Sequence, residues 1–440
     1  MAYLKAGQSI PTKDFKKVVV LPHPDPKRAK DPNPMLGEGG QGAVYVVEYN
    51  GQKKALKWYS GKKIANPKKF YENLENNIKK GKPTNAFLWP EAITEKTKEL
   101  GEAFGYVMDL RPPEYKEFSK FLIGREGFAS ITAMTNAALQ ITAGFRALHQ
   151  KGCSYQDLND GNFFIDPKNG SVLICDNDNV SEYGKNSGIA GKARYMAPEI
   201  VTGKAKPNDL TDYFSLAVVL FLLWTNCHPL EGKASCVPCM DAKSEKRIYG
   251  ENPVFIYDPN DASNRPVQGI HRGAISRWPF LPDYLKEAFV KAFSKELMKD
   301  PQIRIIEQDW LRLFIRMRSE VYKCPSCTEV YFADAVNPNP CPNCKKINAF
   351  PIYIKTQRYN VPVHQKTKLY SCHTEKGSDD YEALKGEVSA NGGEYMLKNV
   401  SKDTWYVTDA GAQTPVAAGS SFKLKKGTTV NFGVVNVDVV

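Results

Sequence analysis

Tyr155-Gln156-Asp157-Leu158-Asn159-Asp160-Gly161-Asn162-Phe163-Phe164-Ile165 is the segment on which the reading of this chain turns. An aspartate is followed five residues later by an asparagine, and an apolar strand-forming run closes the segment. Upstream, Met134, Ala138, Ile141, Phe145 and Leu148 recur at three- and four-residue steps. That period predicts an amphipathic helix over 130–150, ending near Lys151-Gly152. Downstream, Val172-Leu173-Ile174-Cys175 reads as a second strand and leads into Asp176-Asn177-Asp178, fourteen residues after Asn162. A single aspartate or asparagine on such a turn would be an ordinary cap. The order of the neighbouring segments is what removes that explanation.

Working toward the N-terminus, Leu36-Gly37-Glu38-Gly39-Gly40-Gln41-Gly42-Ala43-Val44 spaces its glycines as G-x-G-x-x-G, with Val44 two residues on. Glycines so placed let backbone N–H groups approach phosphate oxygens. The flanking runs 34–36 and 43–48 are both strand-like, giving strand–turn–strand, whereas a dinucleotide fold needs strand–turn–helix. Fifteen residues after Gly42 comes Ala55-Leu56-Lys57. The helix expected over 68–80 offers Glu72 and Glu75 as partners for Lys57. Tyr71, Leu74 and Ile78 define its apolar stripe; Glu75 lies on that stripe and Glu72 faces outward, which favours Glu75. Toward the C-terminus, Gly191-Lys192-Ala193-Arg194-Tyr195-Met196 precedes Ala197-Pro198-Glu199, Asp212 opens an apolar helix, and Asp300-Pro301 precedes Arg304.

Together these segments resemble a eukaryotic-type (Hanks-type) serine/threonine protein kinase over residues 15 to 319. The resemblance implies an ATP- and Mg2+-dependent transfer to protein substrates, with Asp157 accepting the hydroxyl proton and Asn162 and Asp176 holding the metal. Gly37, Gly39, Gly40, Gly42, Val44, Ala55 and Lys57 would cradle ATP, with Met108, Asp109 and Arg111 at the adenine and Arg304 paired to Glu199. The rival expectation is an ATP-binding scaffold that assembles a signalling complex. Departures from the family pattern are informative. Tyr155-Gln156 stands in place of His-Arg, so no arginine awaits a phosphorylated loop, and activity without loop phosphorylation is expected. Asn159 replaces the family's lysine two residues after the catalytic aspartate. Lys192 is expected to take over that cation's place beside Asp157. Asn177-Asp178 replaces Phe-Gly and leaves Asp178 as an extra carboxylate on the metal side.

Cys324-Pro325-Ser326-Cys327 and Cys341-Pro342-Asn343-Cys344 are two knuckles separated by thirteen residues, able to supply four thiolates to a structural Zn2+. Cys236 and Cys239 form a weaker pair that could join Cys227 or His228. After Phe350 the pattern is β throughout, broken by Asn391-Gly392-Gly393, Asp409-Ala410-Gly411 and Lys426-Gly427. This part looks like the second half of a forkhead-associated (FHA) domain, without that family's recognisable phosphate contacts. The fold class expected is therefore α+β. A bilobed kinase domain over 1–319 (N-lobe about 15–108, C-lobe about 112–319) precedes a zinc ribbon over 320–350 and a small all-β sandwich over 356–440. The layout is similar to bacterial kinases encoded beside von Willebrand-type and phosphatase proteins in tellurite-resistance-like clusters, which implies partners of those kinds.

The 440 residues carry a net charge of +12, but the basic residues are scattered among acids and form no aromatic-interleaved stripe, so no nucleic-acid partner is expected. The longest apolar run, Leu216 to Trp224, has nine residues, about half of a membrane span. No membrane partner is expected either. The first fifteen residues lack a signal pattern, so the expected location is cytoplasmic.

Overall fold

The structure, a computed structural model, describes residues 3–40, 42–59, 64, 66–97, 102–185 and 191–440. Within them the chain divides into two compact units. One comprises Met1–Ala129, Gln140–Arg277 and Glu287–Glu307; the other comprises Ser130–Leu139, Trp278–Lys286 and Gln308–Val440. All but the first residue of the helix Glu307–Ser319 groups with the second of these units.

The first unit begins with a seven-stranded sheet: β1 (Ser9–Pro11), β2 (Lys17–Val20), β3 (Met35–Glu38), β4 (Gly42–Tyr49), β5 (Gln52–Tyr59), β6 (Ala92–Ile93) and β7 (Phe104–Asp109). Its order is β1-β2-β4-β5-β7-β6, with β3 on β4. Asn50 and Gly51, both at positive φ, make the two-residue turn that folds β4 back on β5. Period-two alternation then sorts the side chains. Tyr45, Val47, Leu56 and Trp58 pack on one face with Leu4, Ile10, Val18 and Val20. Ala55 and Tyr59 pack on the other with Phe70, Tyr71 and Leu74 of helix α1 (Pro67–Lys80). Lys57 shares that second face. The lobe thus starts well before residue 15: Leu4 and Ile10 are fully buried, and β1 and β2 extend the sheet. Helix α1 begins where Asn66 accepts from the Lys69 N–H with Pro67 in the first turn, and stops at Gly81, whose φ is 68°.

After the sheet the chain turns helical. The helix Ile131–Gln150 confirms the periodicity read from the sequence. The helix Asp209–Thr225 is apolar on all sides and starts with a capping box between Asn208 and Thr211. No described helix is long and apolar enough to cross a membrane.

In the second unit a hairpin, Val321–Lys323 with Val330–Phe332, carries the first cysteine knuckle. Two antiparallel sheets follow. One has six strands, Asn360–Pro362, Tyr353–Lys355, Asn436–Val439, Thr429–Asn431, Trp405–Asp409 and Ala412–Val416 in spatial order; the other has four, Lys368–Tyr370, Leu384–Asn391, Glu394–Asn399 and Ser421–Lys423. Trp405 reaches from the first sheet to the second, where a Cβ on Gly386 would stand 3.1 Å from its ring. The glycine makes room for the indole. A short helix, Ser371–Thr374, departs from the all-β expectation for this stretch.

Candidate active site

The glycine turn between β3 and β4 closes with a Gly39 N–H to Gly42 carbonyl hydrogen bond of 2.8 Å; Gln41 lies outside the described residues. A Cβ on Gly42 would sit 2.6 Å from the Trp58 carbonyl oxygen, so only glycine allows β4 to pass that close. Below this turn is a cavity of about 710 Å3, large enough for a nucleotide. Gly37, Gly39, Gly40, Gly42, Val44, Ala55, Lys57, Met108, Asp109, Arg111, Asp157 and Asp176 all line it. The Asp109 carboxylate is held by Lys54 at 2.7 Å, and the Arg111 guanidinium lies 4.3 Å from the centre of the Phe164 ring.

Lys57 is nearly buried, and its Nζ lies 3.1 Å from Asp176 Oδ1 and 2.8 Å from Asp178 Oδ2. Burial alone would lower its pKa; the Asp178 carboxylate, with Asp176, outweighs that and holds it well above the ordinary value. The expected Lys57–Glu75 pair does not form. Glu75 instead accepts from Lys13 at 2.6 Å, in the turn between β1 and β2, and Glu72 is exposed. The sites where α1 meets the metal-side segment are amides. Asn73 donates to the carbonyls of Asp178 (3.3 Å) and Val180 (2.8 Å), and Asn77 donates to that of Val180 (2.9 Å).

Asp157 sits in the floor of the cavity. Burial first, and the Asp176 carboxylate second, push its carboxyl up to about 6, against the pull of Asn159 and Lys192. Asn162 is not part of the cavity wall. It is buried beneath, donating to the Asp157 carbonyl at 2.8 Å, and its own carbonyl takes the Cys175 N–H, which ties the two aspartate-bearing turns together. Asp212, a residue the sequence reading placed only at a helix start, fixes the loop from behind: its carboxylate accepts from the N–H groups of Tyr155 (2.6 Å) and Gln156 (3.0 Å). The same carboxylate meets His149 Nε2 at 3.1 Å, while His149 Nδ1 bonds Glu307.

Desolvation works to lower the His149 pKa, but Asp212 and Glu307 overcome it and raise the value to about 9. A folded-state pKa above the unfolded value of about 6.5 stabilises the fold fully below that pH, and the gain is lost as pH rises through about 9. We expect the melting temperature to fall between pH 6.5 and 9.5. The His149→Gln protein should show a flatter profile; thermal scans with equal slopes would remove this assignment.

The segment leading to Glu199 is held by fixed contacts, with 186–190 outside the described residues. Gln156 Nε2 donates to the Lys185 carbonyl at 2.7 Å. Arg194 pairs with Glu231 through two contacts of 2.5 and 3.0 Å, and the Tyr249 hydroxyl donates to the same carboxylate at 2.7 Å. Lys192, expected beside Asp157, donates to Asn159 Oδ1 at 3.1 Å, lies 3.8 Å from Asp160 and is mostly exposed. Arg304 holds Glu199 in a bidentate pair, both contacts 2.8 Å.

Cys324, Cys327, Cys341 and Cys344 bring their sulfurs within 4.8 Å of one another. The Cys324–Cys344 and Cys327–Cys341 separations are 3.7 and 3.5 Å, close to the ~3.8 Å edge of a tetrahedron with Zn–S bonds of about 2.3 Å. Burial opposes ionisation of Cys324, but N–H groups of Cys327 and Ser326 aimed at its sulfur bring its pKa down to about 6, so a thiolate is offered at neutral pH. The donor set fits zinc. Cys236 and Cys239 are exposed and are not members of this four-cysteine group, and His228 is committed to the Arg194 carbonyl at 2.7 Å.

A glycine-roofed cavity, a buried lysine on β5 and two aspartate-bearing turns braced by a central helix define a kinase-type fold. Residues 32–305 match the protein kinase domain family, more than half of the chain, and the chain belongs to that family. It is 24% identical over 299 residues to the probable serine/threonine-protein kinase RTK1 of Saccharomyces cerevisiae, covering 64% of this chain and 44% of that protein. It is 31% identical over 116 residues to the protein kinase C delta type of Mus musculus, 26% of this chain and 17% of that one. Over 150 residues it is 27% identical to the CBL-interacting serine/threonine-protein kinase 17 of Arabidopsis thaliana, 30% and 33% respectively. The chain therefore spans less than half the length of these relatives.

Proposed function

We propose that this chain is an ATP- and Mg2+-dependent protein kinase that transfers the γ-phosphoryl group to serine or threonine of a protein substrate. The observation that carries the reading is the convergence of Lys57, Asp157 and Asp176 on one cavity under a glycine turn. Backbone N–H groups of the turn and the Lys57 ammonium hold the phosphates, while the strand bearing Met108 and Asp109 receives the base. The Asp176 carboxylate, about half exposed at the cavity, is a hard donor of the kind a magnesium ion takes; Asn162, buried beneath the wall with its Nδ2 on the Asp157 carbonyl, has only its amide oxygen to offer that ion. That ion, when bound, neutralises charge on the phosphates. Asp157 accepts the proton of the attacking hydroxyl, which its elevated pKa suits.

Loop phosphorylation is not required in this reading. A neutral amide, Gln156, grips the Lys185 backbone, and a carboxylate of the chain itself, Glu231, occupies Arg194. Lys192 reaches back beside Asp157 and steadies the transferred phosphoryl group. Lys192→Ala should lower kcat about 10- to 1000-fold with ATP binding retained; steady-state kinetics showing normal turnover would rule the lysine out.

The four-cysteine cluster holds a structural Zn2+, and residues 320–350 form its ribbon. The two-sheet region 356–440 is read as an FHA-like sandwich that recruits partners, von Willebrand-type and phosphatase proteins among them. Thiolate ligands for zinc persist in a reducing compartment, in keeping with a cytoplasmic protein. The test is transfer of label from γ-labelled ATP to serine or threonine of added proteins, with Mg2+ present. Nucleotide binding without transfer, under Mg2+ and Mn2+ alike, would favour the ATP-binding scaffold instead.

A further inference from the structure

We infer that Asp178, and not a glutamate of helix α1, is the carboxylate that positions Lys57, a conclusion that rests on the kinase reading of the cavity. The Asp178 side chain is completely enclosed, and its Oδ2 receives the Lys57 ammonium at 2.8 Å. The Tyr59 hydroxyl donates to the same oxygen. Lys57 and Tyr59 are two residues apart on β5, so the pleat turns both toward one point. A buried ammonium without a counter-charge would be strongly disfavoured, and Asp178 is the enclosed carboxylate that meets this one.

The alternatives from α1 are occupied or remote. Glu75 is bound to Lys13 and Glu72 is exposed. What α1 contributes is Asn73 and Asn77, which hold the backbone carbonyls of Asp178 and Val180. The lysine and its counter-charge are therefore joined through the segment that carries Asp176 itself. Placement of Lys57 follows the order of residues 176–180, and the Lys57 ion pair involves no carboxylate of α1. Asp178 is a positioning residue, acting on phosphate only through Lys57.

The experiment compares the full-length chain with Asp178→Asn, Asp178→Glu, Tyr59→Phe and Glu75→Gln. Asp178→Asn keeps the side-chain shape, and its adenosine affinity reports whether the cavity has folded. Loss of a charged hydrogen bond predicts a kcat lower by about 10- to 100-fold in Asp178→Asn with adenosine affinity unchanged. Asp178→Glu should recover part of that loss, Tyr59→Phe should cost less than Asp178→Asn, and Glu75→Gln should stay within about twofold of the parent. The inference is overturned if Asp178→Asn turns over normally, if Glu75→Gln loses as much, or if adenosine binding falls in parallel with kcat. Should the parent chain transfer no phosphoryl group, the kinase reading fails by itself. The pairing is then read from the ratio of ATP to adenosine affinity, which Asp178→Asn should reduce about tenfold; an unchanged ratio refutes it.

Discussion

Asp157→Ala is expected to lower the rate of phosphoryl transfer by about 10²- to 10⁴-fold while nucleotide affinity stays close to the parent value. The size follows from what Asp157 does and does not touch. It faces the cavity floor, its loop is pinned by Asp212 to the backbone of Tyr155 and Gln156, and its carbonyl receives Asn162. Those anchors use backbone atoms, so truncating the side chain removes the proposed proton acceptor and leaves the loop in place. The binding contacts on Lys57 and the glycine turn are equally untouched. A carboxyl raised to about 6 by burial and by Asp176 is ionised at neutral pH yet basic enough to share a proton in the transition state. Single-turnover measurements at saturating ATP separate this from a binding effect. Transfer within about tenfold of the parent would mean that Asp157 is not the base.

The order of motifs made most of this site legible in the sequence, because each motif is a short turn bracketed by strands or a helix whose period can be read. Lys57 and Asp176 face one another, Arg304 holds Glu199, and the cysteine knuckles meet. The partner of Lys57 was not legible. An apolar stripe says which face of α1 is buried but not what that face meets, and the stripe led to Glu75. The residue that Glu75 meets, Lys13, lies in the turn joining a strand pair whose short runs carry little periodicity. The face that does meet the metal-side segment carries Asn73 and Asn77, polar amides that a hydrophobicity pattern passes over. Asp178 was visible as an extra carboxylate, yet burial is what decides whether such a group binds metal or an ammonium, and burial depends on β5 and α1, both distant in sequence. The same holds for Asp212 and His149, whose partners lie 57 and 158 residues away along the chain.

Removal of zinc is expected to unfold the region of the two knuckles. The residues packed together there are few: Cys324, Tyr331, Ala333 and Cys341 are buried, with Tyr322, Cys327, Cys344 and Phe350 partly so. Half of these eight are the cysteines themselves, so the apolar surface left to drive folding is small. The hairpin Val321–Lys323 with Val330–Phe332 contributes three residue pairs, too short to stand alone. Four sulfurs within 4.8 Å of one another cannot all be thiolates without a cation, and Cys344, against the pull of a backbone N–H, is accordingly pushed up to about 11 by the neighbouring cysteines. In the proposed zinc site metal binding would supply the folding free energy, on the order of 10 kcal/mol for structural zinc sites. Metal analysis should find one zinc per chain, and Cys341→Ser should lose most of it. Treatment with a strong chelator, or the Cys341→Ser change, should open 320–350 to limited proteolysis, with re-protection on adding zinc back to the parent protein alone. A cleavage pattern indifferent to chelator would show that the knuckles fold without metal.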